Sequence, residues 1–582
     1  MPERNYEIAK KKADEIDCRI IDVVKSGKSF RVEAGAGAGK TYSLMKVISW
    51  LETEKGKDFR KKGQKVACIA YTNAAVDVIS GRLSSNSFIQ PSTIHKFAWD
   101  TMKRFQTVLI KGLGELSLLP DNEDRTAKIS SEDIGHVAYD LGGRRFFDGI
   151  AYLHHDDVID LFSWMLDMSK FRTILADKYP IILIDEYQDS FSRIMDKLLK
   201  YFVDETVDGD NLQIGLFGDA WQTIYANNKV CGEVTNDNLV VIGKPSNFRS
   251  EEIIVNALNR IRPDLPQVPA SDENEGEIWI ITTDNYKGER QTGSHWKGEL
   301  QLEDLESYVD SVRAKLRDLG WEDDKTKVLM LTHRLLSYQQ HYDNLFDFLG
   351  DKIKDADDEH FCFFMDRVEP AYKSLQKNDV KGLFDALGGS RRPIRSIEEK
   401  KEWKELKNKL EVARRGQIKD IIDLLYENSL LALPPKVAQK RNLYEHCDKG
   451  EKITLYGKDI EQFYSIPYQE VINAIEFVKP EAIFSTDHGV KGEEYDNVLF
   501  VLGRGWNQYK FDETVYLDPK LLKGKEIDTY ERNRNLFYVC CSRPKKRLAI
   551  LVTVKTNSDF INYLEYVFGR NSIVSYEEFL NL

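Results

Sequence analysis

Residues 32–44 read VEAGAGAGKTYSL. Gly35, Gly37 and Gly39 alternate with Ala34, Ala36 and Ala38, and Lys40 and Thr41 follow at once. Glycine is costly inside any regular element, so this cluster marks a backbone that bends sharply or lets another group come close. An apolar run precedes it and a helical pattern follows. That is the setting of a phosphate-binding loop, because N–H groups at a helix N-terminus point at an anion and the helix dipole favours it. The template G-x-x-x-x-G-K-[ST] reads AGAGAGKT here, with Ala34 in the first glycine slot. Residues Ala34, Gly35, Ala36, Gly37, Ala38, Gly39, Lys40 and Thr41 are therefore the expected nucleotide contacts. Lys40 would neutralise the outer phosphates, and the Thr41 hydroxyl would take one coordination position on Mg2+.

The chain around this loop has 582 residues, too many for one compact core. It is 42% hydrophobic and carries a net charge of −12, which argues against a uniformly basic nucleic-acid coat. Any polyanion it holds is expected in a local groove. No stretch reads as a membrane span, and the start MPERNYEIAKKKADE is not a secretory signal. The seven cysteines show no spacing suited to zinc or an iron–sulfur cluster, so reduced thiols in a cytoplasm are expected.

Short apolar runs alternate with helical stretches through residues 1–250: SFRVEA, KVACIAYT, IILIDE, LQIGLFGD and LVVIGK. A similar series returns later as EIWIITT, KVLMLTH, AIFSTD, NVLFVLG and RLAILVTV. Such alternation predicts α/β architecture with two parallel-sheet domains. The first covers residues 1–100 and 175–245, with a mainly helical insert at 100–175. The second covers 246–350 and 478–582, with a helix-rich, charged insert at 350–478. No internal sequence repeat is evident. Residues 391–419 hold eleven Lys or Arg against five Glu. This run reads either as a solvated helix face or as a patch for a nucleic-acid backbone or an acidic partner.

Hydrolysis also needs a carboxylate for the metal and a group to aim water. IILIDEYQDS supplies both at the end of a strand. Asp185 would hold Mg2+ directly or through water, and Glu186 would orient or deprotonate the attacking water. Arg249 in SNFRSEE and Arg543 in YVCCSRPKK are candidates for arginines reaching across a cleft, a contribution of ~10³ to 10⁵ in rate where it occurs.

The ordered set of motifs resembles the UvrD/Rep/PcrA-type superfamily 1 DNA helicases over both α/β domains. AYTNAAVDVISGRL is similar to the family's aromatic-T-N-x-A-A segment, STIHKFA to T-x-H-x-[LF], and DEYQD to D-E-[FY]-Q-D. GDAWQTIYA, NFRS, TDHGVKGEEYDNV and RNLFYVCCSRPKKRL follow in the family's order. The resemblance implies two RecA-like P-loop NTPase domains with ATP and Mg2+ between them and single-stranded DNA across their tops, travelled 3′ to 5′. It implies that Gln222 senses the γ-phosphate, Phe248 stacks on adenine, Glu494 lies near the ribose, and Arg249 and Arg543 reach the phosphates. Tyr71, Thr72, Asn73, Thr93, His95, Tyr225, Thr486 and His488 would lie along the DNA.

Four departures accompany the resemblance. No glutamine precedes the phosphate loop, the first being Gln64, which opens the base specificity to nucleotides other than ATP. Asn227 stands where an aromatic often stacks a base. The second insert has no clear G-G-x-x-F-F segment, FCFFMDRVEPAYKSL being a poor echo. Finally, RLAILVTVKTNSDFINYLEYVFG runs straight from strand to helix, leaving little room for a strand-splitting pin. Taken with the small inserts, the motifs also look like helicase subunits of bacterial anti-phage systems of the Gabija type, in which the motor works beside a separate nuclease. Two readings stay open: a DNA-stimulated helicase or translocase, and a nucleotide-gated DNA-end sensor that licenses a partner enzyme. A fused nuclease is not expected, since no D-x-n-E-x-K-type pattern follows the last motif and residues 556–582 are too few to hold one.

Overall fold

The computed structural model describes the chain apart from residues 1–3, 85–86, 120–128, 141–142, 206–211, 225–229, 272–275, 294–295, 355–356, 390–393, 427, 447–452, 480–481 and 505–508. Two six-stranded sheets organise it. The first comprises β1 (Phe30–Ala34), β2 (Val66–Ala70), β3 (Ile89–Thr93), β4 (Ile181–Asp185), β5 (Gln213–Gly218) and β6 (Val240–Lys244). The second comprises β7 (Glu277–Thr282), β8 (Thr326–Met330), β9 (Phe484–Thr486), β10 (Tyr495–Leu502), β11 (Pro544–Val552) and β12 (Ile573–Ser575). Every neighbouring pair runs parallel. The chain thus folds as two parallel-sheet units, as the alternation of apolar runs predicts, and they are of the RecA-like kind that the resemblance implies.

The spatial order is β3-β2-β4-β5-β1-β6 in one sheet and β9-β8-β10-β11-β7-β12 in the other. Counted from the first strand of each half, both read 3-2-4-5-1-6. The two halves therefore repeat a topology that their sequences do not repeat. β1, β2, β4 and β5 are buried along their full length, which is why they read as continuous apolar runs rather than alternating ones. The two strands that the apolar runs do not announce are both at edges. β3 carries Pro91, whose missing N–H an edge tolerates, and β12 has only three residues.

Four helices matter for the site: α1 (Asn5–Ser26), α2 (Lys40–Glu54), α3 (Glu252–Ile261) and α4 (Lys525–Cys541). α1 and α2 cover one face of the first sheet through Ile20, Val24, Leu44, Val47 and Leu51. α3 and α4 pack into a core shared with β7, β10 and β11. The first insert supplies helices at Gln106–Glu115, His155–Leu166 and Ser169–Lys178, together with a three-stranded sheet formed by His136–Tyr139, Ile150–Leu153 and Arg145–Phe147. In the second insert an apolar cluster continues from Val328 and Met330 of β8 into Trp403, Leu410, Ile421 and Tyr464. The helix Ile397–Ala413 of the basic run buries Trp403, Leu406 and Leu410, while Lys400, Lys401 and Lys404 face solvent. Among the described residues no helix is long and apolar enough to cross a membrane, none of the cysteines there is bonded to another, and no His/Cys/Asp/Glu cluster suits a metal ion by itself.

Candidate nucleotide and nucleic-acid site

In parallel sheets, ligands collect beyond the carboxyl ends of the strands. Every motif of the first half lies there. The loop after β1 turns through Gly37 and Gly39, with φ of 73° and 76° that only glycine adopts without strain. Crowding adds a second reason at Gly37. A Cβ there would stand 2.6 Å from Asn247 Oδ1 and 2.8 Å from Arg249 Cβ. α2 begins at Lys40 with Thr41 exposed in its first turn, so the helix N-terminus opens on the loop.

Lys40 Nζ donates to Glu186 Oε2 at 2.9 Å. Burial works against the Lys40 charge, yet Glu186, Asp219 and Asp185 outweigh it and hold the ammonium above its ordinary pKa. Burial works against Glu186 as well, but the Lys40 and Lys491 charges bring that carboxyl down to about 2. Asp185, at the end of β4, is pushed the other way, up to about 7, by burial and by the charge of Glu186. Adjacent acids thus differ in proton affinity, one held ionised and the other drawn toward its protonated form. Glu186 sits in the left-handed region, φ 48° and ψ 49°, a conformation costing about 1–2 kcal/mol for a residue with a Cβ. Gln188 Nε2 braces its Oε2 at 2.6 Å.

The donor set fits a magnesium nucleotide. A glycine cradle, a buried ammonium, an exposed threonine hydroxyl and a carboxyl of raised proton affinity are oxygen and cation chemistry of the kind Mg2+ and phosphate require.

Residues of the second half close on this loop. The Phe248 N–H donates to Gly37 O at 2.9 Å, and Asn247 Nδ2 and Gln267 Nε2 each reach Ala36 O at 3.1 Å. Arg249, two residues along from Asn247, directs Nε to Glu494 Oε2 at 3.0 Å and Nη1 to Ser542 O at 3.1 Å. Glu494 is shared with Lys545 at 2.8 Å. Arg543 is buried, bonded to Val539 O and Glu493 O at 3.0 and 3.1 Å, and its pKa falls to about 10 through burial and the neighbouring Arg249 charge. The two expected arginines therefore converge with each other, and Arg249 converges with the loop. Glu494 meets them as the carboxylate of Arg249. Lys491, from TDHGVKGEEY, also crosses: its ammonium lies 2.5 Å from Asp189 Oδ2 and 2.5 Å from Gln222 O.

Gln222 donates to Asp219 Oδ2 at 2.7 Å and is buried. Phe248 is 43% exposed, with Tyr6 of α1 edge-on at 6.4 Å, leaving an open aromatic surface at the mouth.

Along the expected DNA track, Tyr71 is 51% exposed and Asn73 is exposed beside it. Thr72 and Thr93 cap the helices that follow them, accepting from Ala75 N and Lys96 N. His95 packs edge-on to His155 and Phe191, and burial together with the His155 charge lowers it to about 4, so it is neutral at pH 7. Thr486 is buried and accepts the Gly489 N–H at 3.0 Å. His488 bonds the Tyr509 hydroxyl at 2.8 Å and is lowered to about 4 by burial and the Lys354 charge. Tyr225 and Asn227 lie outside the described residues.

Several participants escape a sequence reading. Asn247 and Lys491 stand inside quoted motifs without an obvious task, and Gln267, Tyr538 and Arg262 stand in none or carry no charge signal. Glu33 leaves one clue: an acid inside a fully buried strand requires a partner.

Fold and site together define a P-loop ATPase core built from two RecA-like halves. Comparison with known proteins agrees: residues 19–228 match a family model described as an AAA domain. In an alignment 686 positions long the chain is 21% identical to the Gabija protein GajB of Bacillus cereus (strain HuB5-5), covering 95% of this chain and 96% of that protein. It is 23% identical over 587 residues to the Gabija protein GajB of Bacillus cereus (strain VD045), covering 93% and 96%. It is 25% identical over 300 residues to the mitochondrial ATP-dependent DNA helicase HMI1 of Saccharomyces cerevisiae, covering 43% and 41%. The resemblance drawn from the motifs holds: the chain is similar to a DNA helicase over part of its length and to the Gabija GajB proteins along nearly its whole length.

Proposed function

We propose that the protein is an ATP-dependent DNA translocase or helicase of UvrD type, acting on single-stranded DNA from 3′ to 5′ in a bacterial anti-phage system, in the cytoplasm and beside a separate nuclease subunit. The observation that carries it is the convergence of Asn247 and Lys491 from the second half on the loop and an acid of the first. A triphosphate at that seam would draw on cations from both halves, so its cleavage would change how they sit together. The domain boundaries at residues 100, 175, 246, 350 and 478 belong to this proposal.

In this reading Lys40 leaves Glu186 for the phosphates, and the freed Glu186 carboxylate orients the attacking water and accepts its proton. Thr41 and Asp185 would hold Mg2+, which when bound neutralises charge on the phosphate oxygens. Gln222 orients the γ-phosphate, and Arg249 exchanges Glu494 for it. Tyr71 offers a face on which any base can stack, at ~1–3 kcal/mol.

One observation favours the second reading, a DNA-end sensor that licenses a nuclease. β11 ends at Val552 and the next helix begins at Ser558, so only a short linker stands where a pin would be. Steady-state ATPase with single-stranded, blunt and tailed DNA separates the two. Stimulation by single strands with unwinding of the tailed duplex is expected; stimulation by ends alone without unwinding moves the conclusion to the sensor. No response to any DNA removes both.

A further inference from the structure

Arg262 follows α3, whose apolar residues Ile254, Ala257, Leu258 and Ile261 belong to the core of the second half. Its guanidinium nevertheless crosses to the first sheet, and the residue is only 3% exposed. Nη1 bonds Asp219 Oδ1, and Nη2 donates to Glu33 Oε1 at 3.0 Å. The cation lies 5.2 Å from the Trp221 ring centroid and 5.7 Å from that of Tyr538. Burial opposes its charge, but Asp219, Tyr538 and Glu33 hold it ionised.

Three of those partners are tied to the site. Asp219 Oδ2 accepts the Gln222 side-chain amide at 2.7 Å. Glu33 accepts the Tyr187 hydroxyl at 2.8 Å and the Ala220 N–H at 2.9 Å, and stands one residue before the phosphate loop. The Tyr538 hydroxyl accepts the Ala36 N–H of that loop at 3.1 Å. Two carboxylates so deeply buried demand a cation, and only a planar fork satisfies both at once.

We propose that Arg262 is a positioning residue for hydrolysis: through Asp219 it fixes the side chain of Gln222, and through Glu33 it ties that setting to the strand beneath the phosphate loop, so that the second half governs both. The assignment rests on the ATP-hydrolysing reading above. A lysine would neutralise the cluster but hold only one carboxylate, so charge and fork can be separated by experiment.

The test measures ATP turnover and thermal melting of the full chain carrying Arg262→Lys, Arg262→Met, or Arg262→Met with Glu33→Gln. The expected result is that Arg262→Lys melts near the parent and loses kcat, by about 10²-fold as for a slightly misplaced group, with KM for ATP nearly unchanged. Arg262→Met loses more, and adding Glu33→Gln, which removes one uncompensated charge, recovers part of it. Parent-like kcat in Arg262→Lys and Arg262→Met overturns the proposal. So does a loss in Arg262→Lys that tracks a fall in melting temperature, with no recovery from Glu33→Gln, for that marks a purely structural pin. A parent chain with no turnover at all removes the functional reading and this proposal with it, a result distinct from either of these.

Discussion

The ammonium of Lys40 lies 2.9 Å from Oε2 of Glu186, so the group expected to neutralise phosphate and the group expected to handle water hold each other. The pair satisfies two charges that are otherwise costly in a closed seam. It also leaves each residue available when a more highly charged ligand arrives. Lys40→Ala is expected to abolish ATP turnover while the circular dichroism spectrum persists, since the change removes charge and little packing. Near-parental turnover in that variant would falsify the site assignment.

Glu186→Gln keeps the shape of the side chain and the bond from Lys40 but loses the proton acceptor. Hydrolysis should drop by about 10²-fold or more, in keeping with the usual contribution of a general base, while binding of a fluorescent ATP analogue survives. Loss of binding in parallel with turnover would place Glu186 in the architecture of the loop instead.

Asp185 gives a prediction in pH. Its folded pKa is raised, to about 7 against an ordinary 3.8, so ionisation opposes folding. That penalty is complete above pH 7 and fades as the pH falls from 7 toward the ordinary 3.8, below which the carboxyl becomes protonated in both states. Without Mg2+, Asp185→Asn should therefore melt at a higher temperature than the parent at pH 8, with the gain shrinking between pH 7 and pH 4. A lower melting temperature at pH 8 would contradict a buried carboxyl whose ionisation opposes folding. The same variant should hydrolyse ATP poorly, because stability and metal holding pull in opposite directions here.

Lys491 reaches from the second half to the first, meeting Asp189 and the Gln222 carbonyl. Lys491→Ala should reduce the stimulation of ATPase by single-stranded DNA by roughly 2- to 30-fold, the range that ~0.5–2 kcal/mol of coupling allows. The rate without DNA should change less. Equal loss with and without DNA would assign Lys491 to catalysis proper.

Tyr71 stands out to solvent near Asp189. Tyr71→Ala should weaken binding of single-stranded DNA by ~1–3 kcal/mol, yet leave the slope of affinity against salt unchanged, because stacking displaces no counterions. A shallower slope at equal low-salt affinity would argue that the residue supports phosphate contacts.

The strands were legible because parallel strands buried on both faces must be apolar throughout, and each apolar run became one. The loop was legible for a different reason: Gly37 and Gly39 need backbone angles that other residues resist, and helix α2 had to start where the glycines stop. β3 and β12 were not, since an edge relaxes the demand for apolar residues that makes central strands visible. The first insert hid its three short strands in the same way, their exposure alternating with burial.

Local chemistry, then, was determined by the sequence alone: where a phosphate loop can bend, which acids end a strand, and which runs must be buried. Only the tertiary structure decided that the halves share the order 3-2-4-5-1-6, that Arg249 spends its charge on Glu494, and that Arg262 reaches two carboxylates more than forty and two hundred residues away. The physical reason is range. Backbone preference and burial act on a residue and its neighbours, whereas a buried charge is satisfied by whichever distant partner the packing of two sheets brings within about 3 Å.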